Sequence, residues 1–222
     1  MSCSIMQSKQ TLIASLLVIL IIGSLTLFAY TNETATISDA FKLGMKSTVG
    51  VMATQVQPSD ISGINPGDED TLAYHAVAAK LRNMRSMNDN ILNVYILKVN
   101  PDGTATFVVD DLYPEDPQGS AKIGEVSTAP DRMDILAALS GPTTSKEPYT
   151  TKYGSFMTAY APIDDAGSGS SGNTYAILAM DVSAQTYQDY LAKSNIILVT
   201  GFIAMIIAVG IIFWFGGSRK KD

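Results

Sequence analysis

The residues that could carry chemistry in this 222-residue chain are few, and most of them are acids. Acidic residues adjoin at positions 68–70, 110–111 and 164–165. Carboxylate oxygens are the ligands that calcium prefers, but none of these runs has the ligand spacing of an EF-hand loop. We therefore interpret all three runs as solvated charge and expect no metal site.

Nucleophilic and zinc-binding side chains are scarcer still. Cys3 is the one cysteine and His75 the one histidine. The chain therefore has too few cysteines and histidines for the usual zinc sites, and a Ser-His-Asp triad could use only His75. The serines and glycines of 166–173 do not form a nucleophile elbow, which needs a strand before the serine and a helix after it. We expect no catalytic residue, no cofactor and no enzymatic activity; a hydrolase, the enzyme alternative, lacks a credible nucleophile and base.

Two uncharged apolar runs, 11–30 and 196–215, divide the chain. Each has the roughly 20 residues that a helix needs to cross the hydrocarbon core of a bilayer. Lys9 precedes the first run and Arg219, Lys220 and Lys221 follow the second, and basic residues near span ends favour the cytoplasm. A cleaved signal peptide is the alternative for the first run, although its apolar stretch is longer than a usual signal core.

The sequence therefore predicts a two-pass protein of the cell membrane with five segments. These are a cytoplasmic N-terminus (1–10), a first transmembrane helix (11–30), an extracytoplasmic domain (31–195), a second transmembrane helix (196–215) and a cytoplasmic C-terminus (216–222). The enclosed domain carries twenty acidic residues against eleven basic ones. That excess of negative charge argues against nucleic acid as a partner.

Within the enclosed domain, residue periodicity predicts an α+β fold. Apolar residues at steps of three and four predict a long helix over 35–57 and a second helix from Asp70 that turns Ala73, Val77, Leu81 and Met84 inward. Runs of β-branched and aromatic residues then predict strands. The remaining elements are a hairpin (92–99 and 104–110), an irregular loop (111–130), a short helix (131–139), two strands (155–163 and 174–182) and a last helix (184–194).

The order of these elements resembles the Cache family of extracytoplasmic sensor domains, also described as PAS-like or PDC domains, here of the single-domain type between two transmembrane helices. Five stretches carry the resemblance: 93–103 (NVYILKVNPDG), 123–125 (IGE), 147–154 (EPYTTKYG), 160–163 (YAPI) and 179–182 (AMDV). It implies a PAS-like antiparallel sheet behind a long N-terminal helix, with a small-molecule pocket on one face. The ligand classes it implies are amines, amino acids and carboxylates.

The resemblance also implies the ligand-binding residues. Tyr149 and Asp181 match the family's tyrosine and aspartate, and an ammonium group pairs well with a carboxylate and an aromatic face. Thr151 stands where the family has an acid, and no arginine or tryptophan clamp for a ligand carboxylate has a counterpart within 111–131. The other candidates are Lys152, Tyr153 and Tyr160, and a structural role for Asp181, as a cap of the following helix, stays open.

Only residues 216–222 follow the second apolar run, so we expect ligand state to pass to a homodimer or to a separate membrane signalling protein. Gly201, Ala204 and Ala208 offer small side chains for close helix packing in the bilayer. Two further alternatives stay open. The last helix could be a simple anchor stalk, and the domain could be a structural or interaction subunit whose pocket is vestigial.

Overall fold

The structure is a computed structural model that describes residues 2–130, 132–164 and 174–218. The chain divides into two compact units. One comprises residues 40–188, and the other comprises 1–39 together with 189–222. We describe each unit by itself.

Six α-helices and six strands follow one another in an α+β order within the described residues. The helices are α1 (Ser2–Ala53), α2 (Pro58–Ile61), α3 (Leu72–Arg85), α4 (Arg132–Ala137, extended by a 3-10 turn at Ala138–Ser140), α5 (Ala184–Ala192) and α6 (Asn195–Ser218). The strands are β1 (Ile91–Val99), β2 (Ala105–Asp110), β3 (Thr143–Thr144), β4 (Tyr149–Thr151), β5 (Gly154–Asp164) and β6 (Thr174–Ser183).

One antiparallel sheet organises the 40–188 unit. Its strands lie in the order β2-β1-β6-β5-β3, and β4 also pairs with β5. The first and last long strands of the chain, β1 and β6, are therefore neighbours in the middle of the sheet. The predicted α+β class with a central antiparallel sheet and a long N-terminal helix is confirmed.

Element positions agree with the sequence prediction except at a few boundaries. The first helix ends at Ala53, not residue 57, and α3 begins after Thr71, whose hydroxyl accepts a hydrogen bond from the amide of Tyr74. The inward face of α3 contains Val77, Leu81 and Met84 as predicted, but Ala73 is exposed and Tyr74 is buried in its place. The last helix is interrupted at residues 193–194, and strands β3 and β4 were not predicted.

The interpretation of residues 110–111 as solvated charge is wrong. The side chains of Asp110 and Asp111 are both buried. Asp111 accepts hydrogen bonds from the amide of Val94 (3.0 Å) and from Arg85 Nε (2.5 Å), so it joins α3 to the sheet. Burial raises the pKa of Asp111, against the opposing effect of those two donors. Asp165 lies outside the described residues.

The ion pair between Asp111 and Arg85 yields a stability prediction. Arg85→Met removes the cation that is hydrogen-bonded to the buried Asp111, so we expect the free energy of unfolding to fall by about 3 kcal/mol, the low end for a broken buried pair because Arg82 still acts on Asp111. Urea unfolding of the full chain, followed by near-ultraviolet circular dichroism, measures the change. The double variant Arg85→Met/Asp111→Asn should recover part of the loss.

Lys80→Met is the matched control, because it breaks the more exposed Lys80–Asp60 pair (2.6 Å). Lys80→Met should lower the free energy of unfolding by about 1 kcal/mol or less. Equal losses in the Arg85 and Lys80 variants would contradict the role assigned to Asp111.

In the other unit, α1 and α6 pack against each other. Gly201 approaches Thr26 so closely that a Cβ at position 201 would clash with the Thr26 side chain, and Gly23 lies opposite Met205. The hydroxyl of Thr34 donates a 2.9 Å hydrogen bond to Ser194 Oγ. One of the small residues predicted to mediate helix packing, Gly201, is therefore used within the chain.

A disulfide tests this packing. In a Cys3→Ser background, Thr34→Cys with Ser194→Cys should crosslink within one chain because the two side-chain oxygens are 2.9 Å apart. A protease site is inserted in the hairpin turn at 100–103. After cleavage, the disulfide should hold the two fragments together, and a reductant should separate them. Asn32→Cys with Ser194→Cys is the control, since Asn32 is exposed and lies two residues from Thr34. Crosslinked dimers in place of joined fragments would contradict the intrachain packing.

Candidate functional site

One face of the sheet changes from apolar to polar along its strands. Strand side chains alternate between faces, so residues two apart on one strand, and paired residues on neighbouring strands, share a face. Tyr95 and Tyr160 both pair with Ala179 on β6. Two residues further along each strand, Asn93 and Thr158 both pair with Asp181 on the same face. These three side chains form a polar row at this end of the sheet.

The apolar end of that face is a filled core. Its buried residues come from the sheet, the loop after β2 and the α4 region: Tyr95, Leu97, Ala105, Phe107, Ala121, Ile135, Ala138, Tyr160, Ile177 and Ala179. The polar row lies beside this core, so its side chains are removed from bulk water. Asp181 is only 4% exposed, and Thr158 is fully buried.

Hydroxyl groups hold the carboxylate of Asp181. Its Oδ1 accepts a hydrogen bond of 2.6 Å from Thr158 Oγ1 and one of 3.2 Å from the hydroxyl of Tyr95. The hydroxyl of Tyr149 lies 2.6 Å from Thr158 Oγ1 and 3.2 Å from the hydroxyl of Tyr160. A chain of hydrogen-bonded groups thus runs from Tyr160 on β5 to Tyr95 on β1 and fixes the orientation of Asp181.

A cavity of about 190 Å³ opens beside this network. It is lined by residues of β1, β2, β4, β5 and β6 and of the 111–130 loop: Leu92, Asn93, Tyr95, Phe107, Asp110, Leu112, Gly119, Glu125, Ser127, Thr128, Ala129, Tyr149, Thr151, Tyr153, Phe156 and Asp181. Carboxylates, hydroxyls and aromatic rings predominate. The cavity can therefore enclose a small molecule and offer it acceptor oxygens.

Glu125 joins the loop to the strands at the cavity wall. Its Oε1 accepts a 2.5 Å hydrogen bond from the hydroxyl of Tyr153 and lies 2.9 Å from Lys152 Nζ. Lys152 Nζ is also 4.7 Å from the ring centroid of Tyr153. Burial raises the pKa of Glu125, but the bonds from Tyr153 and Lys152 outweigh it and the net effect is to lower that pKa. The carboxylate is therefore held ionised against the turn between β4 and β5.

Asp110 fixes the beginning of the same loop. Its two carboxylate oxygens accept 3.0 Å hydrogen bonds from the amides of Leu112 and Ala121. Burial raises the pKa of Asp110 from 3.8 to about 6, against the opposing effect of these backbone donors and of the Asn93 side chain. Asn93 Oδ1 is itself buried without a hydrogen-bond donor among the described residues.

The structure brings together four of the six residues expected to bind ligand. Tyr149, Thr151, Tyr153 and Asp181 line the cavity. Lys152 does not line it; its side chain is 61% exposed and pairs with Glu125. Tyr160 is fully buried in the core and contacts the site through its bond to Tyr149.

Sequence reasoning missed several groups of the site, including Tyr95, Asp110, Glu125 and Thr158. Alternation along the predicted strands could have indicated Tyr95 and Thr158, since each lies on the face of its strand that carries Asp181 once the strands are paired. No comparable signal exists for Glu125, which lies in an irregular segment. His75 is exposed on α3, and no group of three or more metal-ligating side chains occurs among the described residues.

The raised pKa of Asp110 yields a pH prediction. The folded state binds the Asp110 proton more tightly than the unfolded state, so this group stabilises the fold fully below about pH 4 and loses that contribution as pH rises through about 6. The loss amounts to at most about 3 kcal/mol. Asp110→Asn should remove this part of the pH dependence, measured as the unfolding free energy of the full chain between pH 4 and 7.5.

Asp70→Asn is the control for that measurement, because Asp70 is exposed and does not line the cavity. The unfolding free energy of Asp70→Asn should vary with pH as that of the wild type does. An Asp110→Asn variant whose stability varied with pH as the wild type does would contradict the assignment.

No protein-family model matches this chain, and no match was found among curated protein sequences. Similar solved structures include the periplasmic domain of RsbU from Chlamydia trachomatis, with 13% identity, a TM-score of 0.45 and coverage of 84% of this chain and 58% of that one. An RNA-binding light-oxygen-voltage receptor aligns with 12% identity, a TM-score of 0.35 and coverage of 90% and 69%. With TM-scores below 0.5, these similarities carry no argument about function.

Proposed function

We propose that the 40–188 unit is an extracytoplasmic small-molecule sensor domain of the Cache type, carried between two membrane-spanning helices. The observation that supports this most directly is the cavity of about 190 Å³ beside the polar row of the sheet, with the buried Asp181 in its wall. Small-molecule sites are typically concave, largely apolar and equipped with a few convergent polar groups. This cavity has that composition.

The proposed membrane placement rests on two helical stretches, Lys9–Ala53 and Ala184–Phe215, which are long and apolar enough to cross a bilayer. Their large apolar side chains are exposed, among them Leu16, Phe28, Phe202 and Ile206. Aromatic and basic residues border α6: Lys193 Nζ lies 4.0 Å from the ring centroid of Tyr190 before it, and Trp214 is 75% exposed near its end. Such residues favour the two interfaces of a membrane.

Chain connectivity supports a route for the signal. Asp181 lies on β6, and α5 begins at Ala184, only three residues further on. A ligand that displaced the carboxylate of Asp181 would act on a strand that leads directly into α5 and then α6. In this proposal, occupancy of the cavity changes how the membrane helices of this chain pack against a second copy of the chain or against a partner membrane protein.

A ligand screen tests the sensor function. Thermal unfolding of the full chain in lipid nanodiscs is measured in the presence of amino acids, organic acids and amines. A ligand should raise the free energy of unfolding by about 2.7 kcal/mol at a concentration 100 times its dissociation constant. Ser127→Phe, which fills the cavity, should abolish the shift, while Ser62→Phe, at an exposed turn outside it, should not. Stabilisation by no compound would favour the alternative, an interaction subunit with a vestigial pocket.

Labelling of single cysteines tests the topology. In a Cys3→Ser background, Ser140→Cys at an exposed position of the domain should react with a membrane-impermeant maleimide on intact cells. Cys3 of the wild type should react only after lysis. The reverse pattern would place the domain in the cytoplasm and overturn the extracytoplasmic assignment.

A further inference from the structure

The walls of the cavity differ in their exposure to solvent. The lining residues on the sheet are buried, among them Phe107, Asp110 and Phe156. Exposed or half-buried lining residues form its rim and come from the start of β1, the 111–130 loop and the end of the β4–β5 hairpin: Leu92, Gly119, Glu125, Thr128, Thr151 and Tyr153. A molecule that enters the cavity must therefore pass between these rim segments.

One carboxylate oxygen joins two segments of the rim. Glu125 Oε1, on the loop, accepts a 2.5 Å hydrogen bond from the hydroxyl of Tyr153 and lies 2.9 Å from Lys152 Nζ. Lys152 and Tyr153 are the two residues of the β4–β5 turn. The Glu125 side chain is 27% exposed, so these contacts lie at the protein surface. We call the three residues the latch.

The protonation states of the latch residues favour these contacts. The pKa of Glu125 is lowered, as described above, so its carboxylate remains an acceptor. The hydrogen bond to Glu125 raises the pKa of Lys152, and burial followed by the bond to the same carboxylate raises the pKa of Tyr153. At neutral pH the ammonium and the phenol therefore both keep the protons that they donate.

The two sides of the latch are held to the sheet unequally. On the loop side, the carbonyl of Glu125 accepts a 2.9 Å bond from the amide of Phe107. The amides of Gly124 and Ser127 donate 2.8 Å bonds to carbonyls of β2. On the other side, β4 has three residues, and the turn projects beyond its last pair, Thr151 with Gly154. The turn is therefore the part of the rim that can move.

Gly154 brings this turn onto the cavity wall. Its φ of +140° is a conformation that residues with a side chain rarely adopt. A Cβ at position 154 would lie 2.7 Å from Cζ of Phe156, a residue that lines the cavity. The backbone of the turn thus lies directly against a ring of the wall. Because glycine tolerates many backbone conformations, it is also the position at which the turn can change direction most easily.

We propose that the β4–β5 turn is the gate of the cavity and that Glu125 holds it shut. This inference rests on the proposed sensor function and adds the device that controls ligand exchange at the same site. When Tyr153 and Lys152 release Glu125, the turn moves away from the loop. The Tyr153 side chain, which packs partly buried against the core, then leaves the rim and opens the path to the cavity.

The rate at which a thiol inside the cavity reacts tests the gate without a ligand. In a Cys3→Ser background, Ser127→Cys places a thiol in the cavity lining. Methyl methanethiosulfonate, a small uncharged reagent, is added to the full chain in phosphatidylcholine nanodiscs. The reaction rate is divided by the rate for the same chain unfolded in urea, which corrects for the intrinsic reactivity of the thiol.

Tyr153→Phe keeps the ring and removes the hydroxyl that donates to Glu125. The loss of a hydrogen bond to a charged group shifts an equilibrium by about tenfold or more. The thiol of Ser127→Cys should therefore react about tenfold faster, or more, in Tyr153→Phe than with the latch intact.

Lys152→Met is a second variant, at an exposed position where folding is not at risk. It should accelerate the reaction by about two- to threefold, since an exposed ion pair contributes less than a buried one. Removing a nearby positive charge disfavours the thiolate and would by itself slow the reaction. An acceleration therefore reports access to the cavity.

Two controls match these variants. Lys98 Nζ lies 5.7 Å from the ring centroid of Tyr175, a similar pair outside the cavity lining, and Tyr175→Phe should leave the rate at Ser127→Cys unchanged. Ser145 is fully buried and does not line the cavity. A thiol at Ser145→Cys should stay protected in Tyr153→Phe, whereas equal acceleration there would mean that the whole fold opens and would overturn the gate.

The remaining outcomes separate the gate from the sensor function. A Ser127→Cys thiol that reacts at its unfolded-chain rate with the latch intact, or that neither variant accelerates, overturns the gate. In that case a compound that stabilises the chain in the ligand screen would still support the sensor function. Acceleration by both variants supports the gate, and a screen in which no compound binds would then count against the sensor function alone.

Discussion

The site depends on one constraint: a buried carboxylate must receive from protein groups the hydrogen bonds that water would otherwise donate to it. Asp181 lies on β6, in the middle of the sheet, and is 4% exposed. Moving an ionised carboxylate out of water without compensation costs several kcal/mol even after the protein relaxes. The hydroxyls of Thr158 and Tyr95 bond to this carboxylate and offset that cost, and the hydroxyl of Tyr149 is in turn bonded to Thr158.

Two further acids, Asp110 and Glu125, hold the loop that lines the cavity. Asp110 binds the amides of Leu112 and Ala121, which closes the first half of the 111–130 loop on itself, and Glu125 binds Tyr153 at the turn after β4. An irregular loop has no ladder of its own to satisfy its backbone, so side-chain carboxylates take over that task. The cavity therefore lies between the sheet and a loop that carboxylates hold at Leu112, Ala121 and Glu125.

The sequence predicted the elements better than it predicted the site. Strand and helix periodicity is local, so β1, β2, β5, β6 and α3 appeared near their correct positions. Strands β3 and β4 are only two and three residues long, too short for periodicity to reveal. Ala73 and Tyr74 lie four and three residues before Val77, so helical spacing alone allows either of them on the inward face of α3.

The burial of Asp110 and Asp111 was not predictable from composition, because adjacent acids are usually solvated. Their environment depends on Arg85 and on backbone amides from distant parts of the chain, which no local pattern encodes. Glu125 likewise gains its role only once the loop meets Tyr153. Tyr149 and Asp181 were identified through the family resemblance, and the structure places both at one cavity.

The central claim, that a small molecule occupies the cavity beside Asp181, can be observed at the carboxylate of Asp181. In full chain labelled with ¹³C at aspartate side-chain carboxyls, the resonance missing from Asp181→Asn identifies Asp181. On titration with a compound that stabilises the full chain in the ligand screen, that resonance should shift saturably while the resonance missing from Asp70→Asn stays in place. An Asp181 resonance that does not move as the compound binds, or that moves no more than that of Asp70, would contradict the account.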